Sequence, residues 1–295
     1  MAAQRRPPVG LRGAPFRGSV AISSGLLSAK QLRGSAYVRI FRDVYVDARI
    51  ERDHQLRCEA AVLLMPCDGV LAGRSAAAAY GIRDVIDDEA PVQVAVPPGR
   101  RFGPIRGLAI RTAALPPADI ARRWPPRTTL LRATLDIARE SDQVESVVAL
   151  DRILHCGSVP VDRLRSAVES LPACRGSARA RTAVAAADGR SESPPETRTR
   201  LIMRAAGLRP EPQYTVRDPS GAFVARVDLA LVAQRVAVEY EGAWHWQPGQ
   251  LAADRRRLDR LTAAGWRVVH VTAADLHNPA AMLARINAVL ALLGS

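Results

Sequence analysis

Residues 223–241 read FVARVDLALVAQRVAVEYE, and their alternation decides the fold of the C-terminal part of the chain. On a strand spanning Arg235–Glu241, Val236, Val238 and Tyr240 take one face while Ala237, Glu239 and Glu241 take the other. On the preceding strand, Phe223–Val232, the residues Val227, Leu229 and Leu231 oppose Asp228, Ala230 and Val232. A hairpin turning through Ala233 and Gln234 sets Asp228 directly across from Glu239, with Glu241 further along the same face. Two like charges about 4 Å apart cost roughly 1 kcal/mol in water and about 4 kcal/mol at an effective dielectric of about 20. A divalent cation, an arginine or a raised pKa would each offset that repulsion. Oxygen donors without soft ligands suit Mg²⁺ or Mn²⁺, so Asp228 and Glu239 are candidate metal ligands. The competing reading is that Arg226, or an arginine of the next helix, neutralises them, or that the register slips by a residue and the pair separates.

The flanking elements extend this reading. Ser193-Pro194-Pro195-Glu196 is a helix start, with Ser as N-cap, Pro in the first turn and Glu at N3 closing a capping box. That helix runs to Ala206 and stops at Gly207. Strands are expected at Gln213–Arg217, Phe223–Val232, Arg235–Glu241 and Trp266–Thr272, and helices at Gln250–Ala264 and Pro279–Leu292, with Asp275 as a cap. The order is αβββαβα. Glu196 is either the capping acid or a third acid of the cluster. Just past the acidic strand, His245 could act as a general base near neutral pH, or face solvent. Trp244 and Trp246 beside it could stack on bases or pack on the core. On the helix that follows, Leu251, Leu258 and Leu261 form the buried stripe. Arg255, Arg256, Arg257 and Arg260 are left for phosphates or for a solvated face.

Across 295 residues, 42 Lys+Arg stand against 29 Asp+Glu, a formal charge of +13. Lys30 is the lone lysine, so no lysine chemistry is open to any other position. Such a basic field favours nucleic acid or an anionic membrane as partner, unless the arginine bias is merely compositional. The longest strongly apolar stretch, Ala60 to Met65, is far short of the ~20 residues of a membrane span. Cys58, Cys67, Cys156 and Cys174 lack metal-ligand spacing and make no disulfide framework, which points to a cytoplasmic protein with reduced, mostly packed thiols.

The length suggests roughly two domains. Residues 1–53 carry ten cations against four anions. Within them, 1–18 read as a disordered basic arm, and order is expected near Ser19. Two short helices, Ser19–Ser24 and Ser28–Arg33, precede a β-ribbon at Val38–Ile40 and Val44–Val46. That pattern fits a truncated winged helix or an ordinary α/β edge equally well. Helices are expected at Arg57–Leu64, Ser75–Tyr80, Leu130–Arg139, Gln143–His155 and Val161–Ser170, with a strand through Val92, Val94 and Val96. A connector at 176–192 follows a boundary near 175.

The C-terminal pieces resemble the very-short-patch-repair-type (Vsr-like) endonuclease domains, a branch of the PD-(D/E)XK nuclease fold. Five pieces carry the resemblance: Ser193–Arg198, Arg226–Leu229, Val238–Gly242 with Trp244 and His245, Asp254–Arg257, and Gly265–Val269. It implies Asp228 and Glu239 as metal ligands, Glu196 as accessory acid, His245 as base or water-positioning residue, and neighbouring aromatics as DNA wedges. The family's lysine two residues after the second acid is here Glu241, which leaves that carboxylate in the catalytic set. The stretch from Gly242 to His245 is one residue shorter than the repair enzymes' form. Residues up to about 170 resemble the AbiEi-type antitoxins and transcription regulators. The matching text is Gly25–Leu32, Phe41–Val46, Arg74–Ala77 with Gly81, and Arg132–Ala138. This implies a DNA-binding winged helix at 19–53, with Gln31 and Arg33 near its reading helix, and an AbiEi-like α/β region at 54–175.

Together these readings give a mixed α/β (α+β) protein, its last 103 residues (193–295) an αβββαβα restriction-endonuclease-like domain. The expected function leans toward a Mg²⁺- or Mn²⁺-dependent DNA endonuclease. The alternative is a non-catalytic DNA-binding regulator or antitoxin of the type IV toxin-antitoxin kind. DNA is the expected partner and a membrane is not; a cognate toxin or a second copy of the chain is left open.

Overall fold

The computed structural model describes residue 8 and residues 11–121, 123–242 and 250–292, with the backbone alone for 250–253. The protein is a mixed α+β chain that divides into two compact units, residues 1–137 and 138–295.

The first unit opens with β1 (Phe16–Arg17), α1 (Gly18–Ser23), α2 (Ala29–Leu32), β2 (Tyr37–Phe41) and β3 (Val44–Asp47). Its three strands form an antiparallel sheet in the order β1-β3-β2. Residues 11–18, read from sequence as part of a disordered arm, are ordered. Phe16 pairs with Tyr45 across the sheet, and Leu11 and Phe16 are buried with Ala21, Leu27, Leu32 and Tyr37. Two apolar side chains among the arginines are enough to anchor that segment. The rest of the unit is α3 (His54–Val62), β4 (Val70–Leu71), α4 (Gly73–Ala79), β5 (Val92–Val96), β6 (Leu108–Thr112), β7 (Ile120–Ala121), β8 (Arg127–Thr128) and α5 (Leu130–Ala138). A five-stranded mixed sheet, ordered β6-β5-β4-β8-β7, runs through it. Four of those strands escape the sequence reading because they are short or lack clean alternation. Cys58 is buried, but Cys67, Cys156 and Cys174 are exposed, so most thiols are not packed as expected.

The second unit begins with α6 (Gln143–His155), α7 (Val161–Glu169) and α8 (Ser177–Ala186). Then come α9 (Pro194–Ala205), β9 (Glu211–Arg217), β10 (Phe223–Leu231), β11 (Val236–Tyr240), α10 (Gln250–Ala263), β12 (Arg267–Val271), α11 (Ala273–His277) and α12 (Pro279–Ala291). From α9 onward the order is the expected αβββαβα, with α11 as one extra turn. Gly207 and Gly265, both at positive φ (+83° and +80°), close α9 and α10 where an L side chain would be strained.

The sheet order is β12-β11-β10-β9, with β11 and β12 parallel and the other pairs antiparallel. Leu229 pairs with Val238, Ala230 with Ala237 and Leu231 with Val236, the register drawn from the sequence. The turn is a short 3-10 segment, Val232–Gln234, closed by Arg235 in the left-handed region. One sheet face buries Leu229, Leu231, Val236 and Val238 against Met203 of α9 and Met282 and Ile286 of α12. The opposite face buries Ala230 and Ala237 against Leu261 of α10 and Trp266.

The boundary near 175 that composition suggests is not where the chain divides. A fully buried ion pair ties α6 to α9: Arg200 Nη2 donates to Asp151 Oδ2 at 2.5 Å, and both side chains have no exposed surface. Arg200 Nη1 also donates to the carbonyl of Ala186 at the end of α8, at 2.8 Å. Thr197 Oγ1 and the backbone N–H of Asp188 donate to the same Asp151 carboxylate. The three helices before α9 therefore belong with the second unit.

Removing one member of such a buried pair strands the other charge. Arg200→Met is expected to destabilise the protein by about 3–5 kcal/mol. Adding Asp151→Leu should recover most of that loss. Urea unfolding followed by circular dichroism reads both; a single variant as stable as wild type would remove the pair from the forces holding this unit.

Candidate functional site

Continued by one residue, the β10–β11 register sets Asp228 opposite Glu239, on the sheet face that α10 covers. The backbone N–H of Tyr240 donates to Asp228 Oδ2 at 2.9 Å, which fixes that carboxylate against β11. Glu239 is buried, and Arg257 of α10 reaches down to it. Arg257 Nη1 donates to Glu239 Oε2 at 2.6 Å, and Nη2 donates to Oε1 and to the carbonyl of Arg226. The fork of the guanidinium thus covers both oxygens of the carboxylate.

Glu196 stands behind the pair, buried in the first turn of α9. Its carboxylate accepts from Ser193 Oγ at 2.7 Å, from the N–H of Glu192 at 2.9 Å and from Gln213 Nε2 at 2.9 Å. Ser193 is the N-cap, accepting from the N–H of Glu196 at 3.4 Å. Glu196 is therefore a capping acid and, at the same time, a neighbour of the cluster close enough to push Asp228 upward.

Asp228 feels the crowding most. Burial is the largest cause raising its carboxyl, to about 6, and the charges of Glu196 and Glu239 add to the rise. The Tyr240 N–H and Arg257 pull the other way without cancelling it. Glu241 sits past the end of β11, exposed, with its own N–H donating to the carbonyl of Val271 at 2.7 Å. Its Oε1 lies 2.7 Å from Nδ1 of His270. His270 pairs with Glu239 across the parallel strands and so shares its face. Sequence reading missed it, because a hairpin sum fixes antiparallel partners only and leaves the register of β12 open.

The remaining predicted residues are distributed as follows. Arg255, Arg256 and Arg260 are exposed on α10, while Arg257, expected on a phosphate, is turned inward to Glu239. Arg226 pairs with Glu192 at 2.9 Å rather than with the cluster. In the first unit Gln31 is spent on helix capping: its Oε1 accepts from the N–H and Oγ of Ser28, at 2.8 and 2.9 Å. Arg33, the C-cap of α2, is exposed. Trp244, His245 and Trp246 lie outside the described residues.

The donor chemistry of Asp228 and Glu239 is all oxygen, which fits a hard divalent cation. In this arrangement, however, Arg257 takes both oxygens of Glu239 and three donors occupy Glu196. Among the described residues no three His, Cys, Asp or Glu side chains are grouped to hold a metal ion. Nor is any helix among them long and apolar enough to cross a membrane.

No family model matches the chain. Two Mycobacterium tuberculosis proteins, Uncharacterized protein MT2308 of strain CDC 1551 / Oshkosh and Uncharacterized protein Rv2248 of strain ATCC 25618 / H37Rv, are each 31% identical to it over 263 residues. The match covers 87% of this chain and 93% of each relative. Among solved structures, the homing endonuclease I-Bth0305I catalytic domain matches 34% of this chain and 97% of its own length. Its identity is 21% and its TM-score 0.28, too slight a likeness to bear on fold or activity.

The raised carboxyl of Asp228 sets a pH dependence. The unfolded group releases its proton near pH 4 and the folded one near 6. Between those values the folded state holds more protons, so this group's contribution to stability falls as pH rises. Asp228→Asn keeps an acceptor for the Tyr240 N–H and does not titrate. Its stability relative to wild type is expected to rise by on the order of 2 kcal/mol between pH 4 and 7. Urea unfolding of both proteins at the two pH values checks it; a pH-independent difference would contradict the site's electrostatics.

Proposed function

The chain belongs to the same family as the mycobacterial proteins MT2308 and Rv2248, and from its own site we propose that it is a DNA-binding protein whose second unit hydrolyses phosphodiesters with a divalent metal. The observation that carries the proposal is Asp228 opposite Glu239 under the arginine-rich helix α10, with Glu196 close enough for its charge to act on Asp228, in a chain of net charge +13. A sheet built for stability alone has no reason to set carboxylates opposite each other.

Asp228 and Glu239 would hold Mg²⁺ or Mn²⁺, which when bound polarises the scissile phosphate and favours ionised water. Without metal the Asp228 carboxyl is raised to about 6 by burial and by the charges of Glu196 and Glu239, and a bound cation would favour its ionised form. Glu241 and His270, with Oε1 and Nδ1 2.7 Å apart, lie at the edge of the same face. The resemblance adds His245 as a base, and no lysine but Lys30 exists to take the role a lysine has in related nucleases. Arg255, Arg256 and Arg260 face outward and suit backbone phosphates. The proposal keeps residues 193–295 as a Vsr-like endonuclease domain, and the N-terminal part as an AbiEi-like region whose winged-helix segment 19–53 reads DNA. Support for the first is the αβββαβα order with its β10–β11 register; for the second, the short helices, the small antiparallel sheet and the local basic excess.

One observation favours a second reading. Arg257 already neutralises Glu239, which suits a non-catalytic regulator or antitoxin that retains the fold to bind DNA.

Purified protein incubated with Mg²⁺ or Mn²⁺ and supercoiled or mismatched DNA separates the two. Metal-dependent cutting that drops at least about a hundredfold in Asp228→Asn and Glu239→Gln is the expected result. Binding without cutting selects the regulator, and cutting indifferent to both substitutions overturns a mechanism built on Asp228 and Glu239. A gel shift that weakens with salt and is lost on deleting residues 1–53 is expected for the reader segment.

A further inference from the structure

We infer that Arg257 is a built-in competitor for the divalent cation, and that a phosphodiester group releases it, so that metal binds this site only after substrate. The inference rests on the metal-dependent reading above and names the residue that regulates it.

Three acceptors hold the guanidinium. Two are the oxygens of Glu239, and the third is the carbonyl of Arg226 on the neighbouring strand, at 2.7 Å from Nη2. Arg257 therefore spans β10 and β11, the two strands that carry Asp228 and Glu239. A cation approaching Glu239 must first break a forked, charge-assisted pair that is mostly shielded, with 30% of the arginine side chain and 11% of the glutamate exposed. Beyond Glu239, Asp228 has the Tyr240 N–H as its hydrogen-bond donor, so it keeps acceptor capacity for a cation even while Glu239 is closed.

The release follows from the geometry of the fork. A phosphodiester presents two oxygens to a guanidinium much as a carboxylate does, so Arg257 can exchange the forked pair on Glu239 for one on phosphate, giving up only the Arg226 carbonyl. Arg260, one turn along α10, is exposed and would gather that phosphate beside it. A lysine could not make the same exchange, since its point charge cannot engage both oxygens in a planar fork. Once Arg257 moves to phosphate, both oxygens of Glu239 are free to join Asp228 around a cation.

Mn²⁺ binding to the full chain, read from loss of the free-ion electron paramagnetic resonance signal, tests this without any activity measurement. Wild type is expected to bind weakly, and Arg257→Gln about tenfold more tightly or better, equal to about 1.4 kcal/mol. Dimethyl phosphate, a phosphodiester probe, should tighten Mn²⁺ binding by wild type and leave Arg257→Gln unchanged. Adding Glu239→Gln to the variant should abolish its gain. Arg257→Lys, which retains the charge but not the fork, serves if the glutamine variant does not fold, and should shift affinity the same way. Equal Mn²⁺ binding by wild type and the variants, or no response of wild type to dimethyl phosphate, overturns the inference and leaves the metal site standing. Absence of Mn²⁺ binding in every protein at millimolar concentration overturns both the inference and the metal-dependent reading.

Discussion

The repulsion between Asp228 and Glu239 is the constraint around which the second unit is arranged. Opposed carboxylates in a half-buried sheet are unfavourable by about 1 to 4 kcal/mol, depending on how far water reaches them. Each acid meets this cost through a different device. Glu239 takes a forked guanidinium from α10, Asp228 takes a backbone N–H and a raised pKa, and Glu196 takes three donors at the start of α9. The helices that cover the two sheet faces are thus tied electrostatically to the strands they pack on.

Neutralisation by Arg257 is what a stable protein would select, and residual charge on Asp228 is what a reactive site would select. The arrangement contains both. The buried Asp151–Arg200 pair shows the stabilising form of the same interaction: both charges are fully enclosed, and the carboxylate accepts from Arg200, Thr197 and the N–H of Asp188. At the carboxylate cluster the enclosure is incomplete, and Asp228 is held near 6, where it can change protonation at physiological pH.

Much of the C-terminal fold was legible because strand period and helix caps are local signals. Ser193 marks a helix start by its capping hydroxyl, Gly207 and Gly265 mark helix ends by their left-handed backbone, and the register of residues 223–241 follows from the turn and the alternation. The N-terminal unit was harder. Strands of two residues such as Val70–Leu71 and Arg127–Thr128 are set by neighbours distant in sequence, and carry too few side chains to show a period. Phe16 and Leu11 lay within a run of arginines, prolines and glycines, whose composition hid two buried anchors.

By itself the sequence determined which residues could be charged neighbours, because alternation and a short turn leave few registers open to β10 and β11. It named Asp228, Glu239 and Glu196 and offered a cation, an arginine or a raised pKa to reconcile them. Only the tertiary structure shows which groups act on these acids: Arg257 on Glu239, and burial with neighbouring charge raising the carboxyl of Asp228. The reason is physical. Which arginine of 255–260 turns inward depends on how α10 lies on the sheet, and how far a carboxyl rises depends on burial by groups far along the chain. Neither quantity is written in the local spacing of residues.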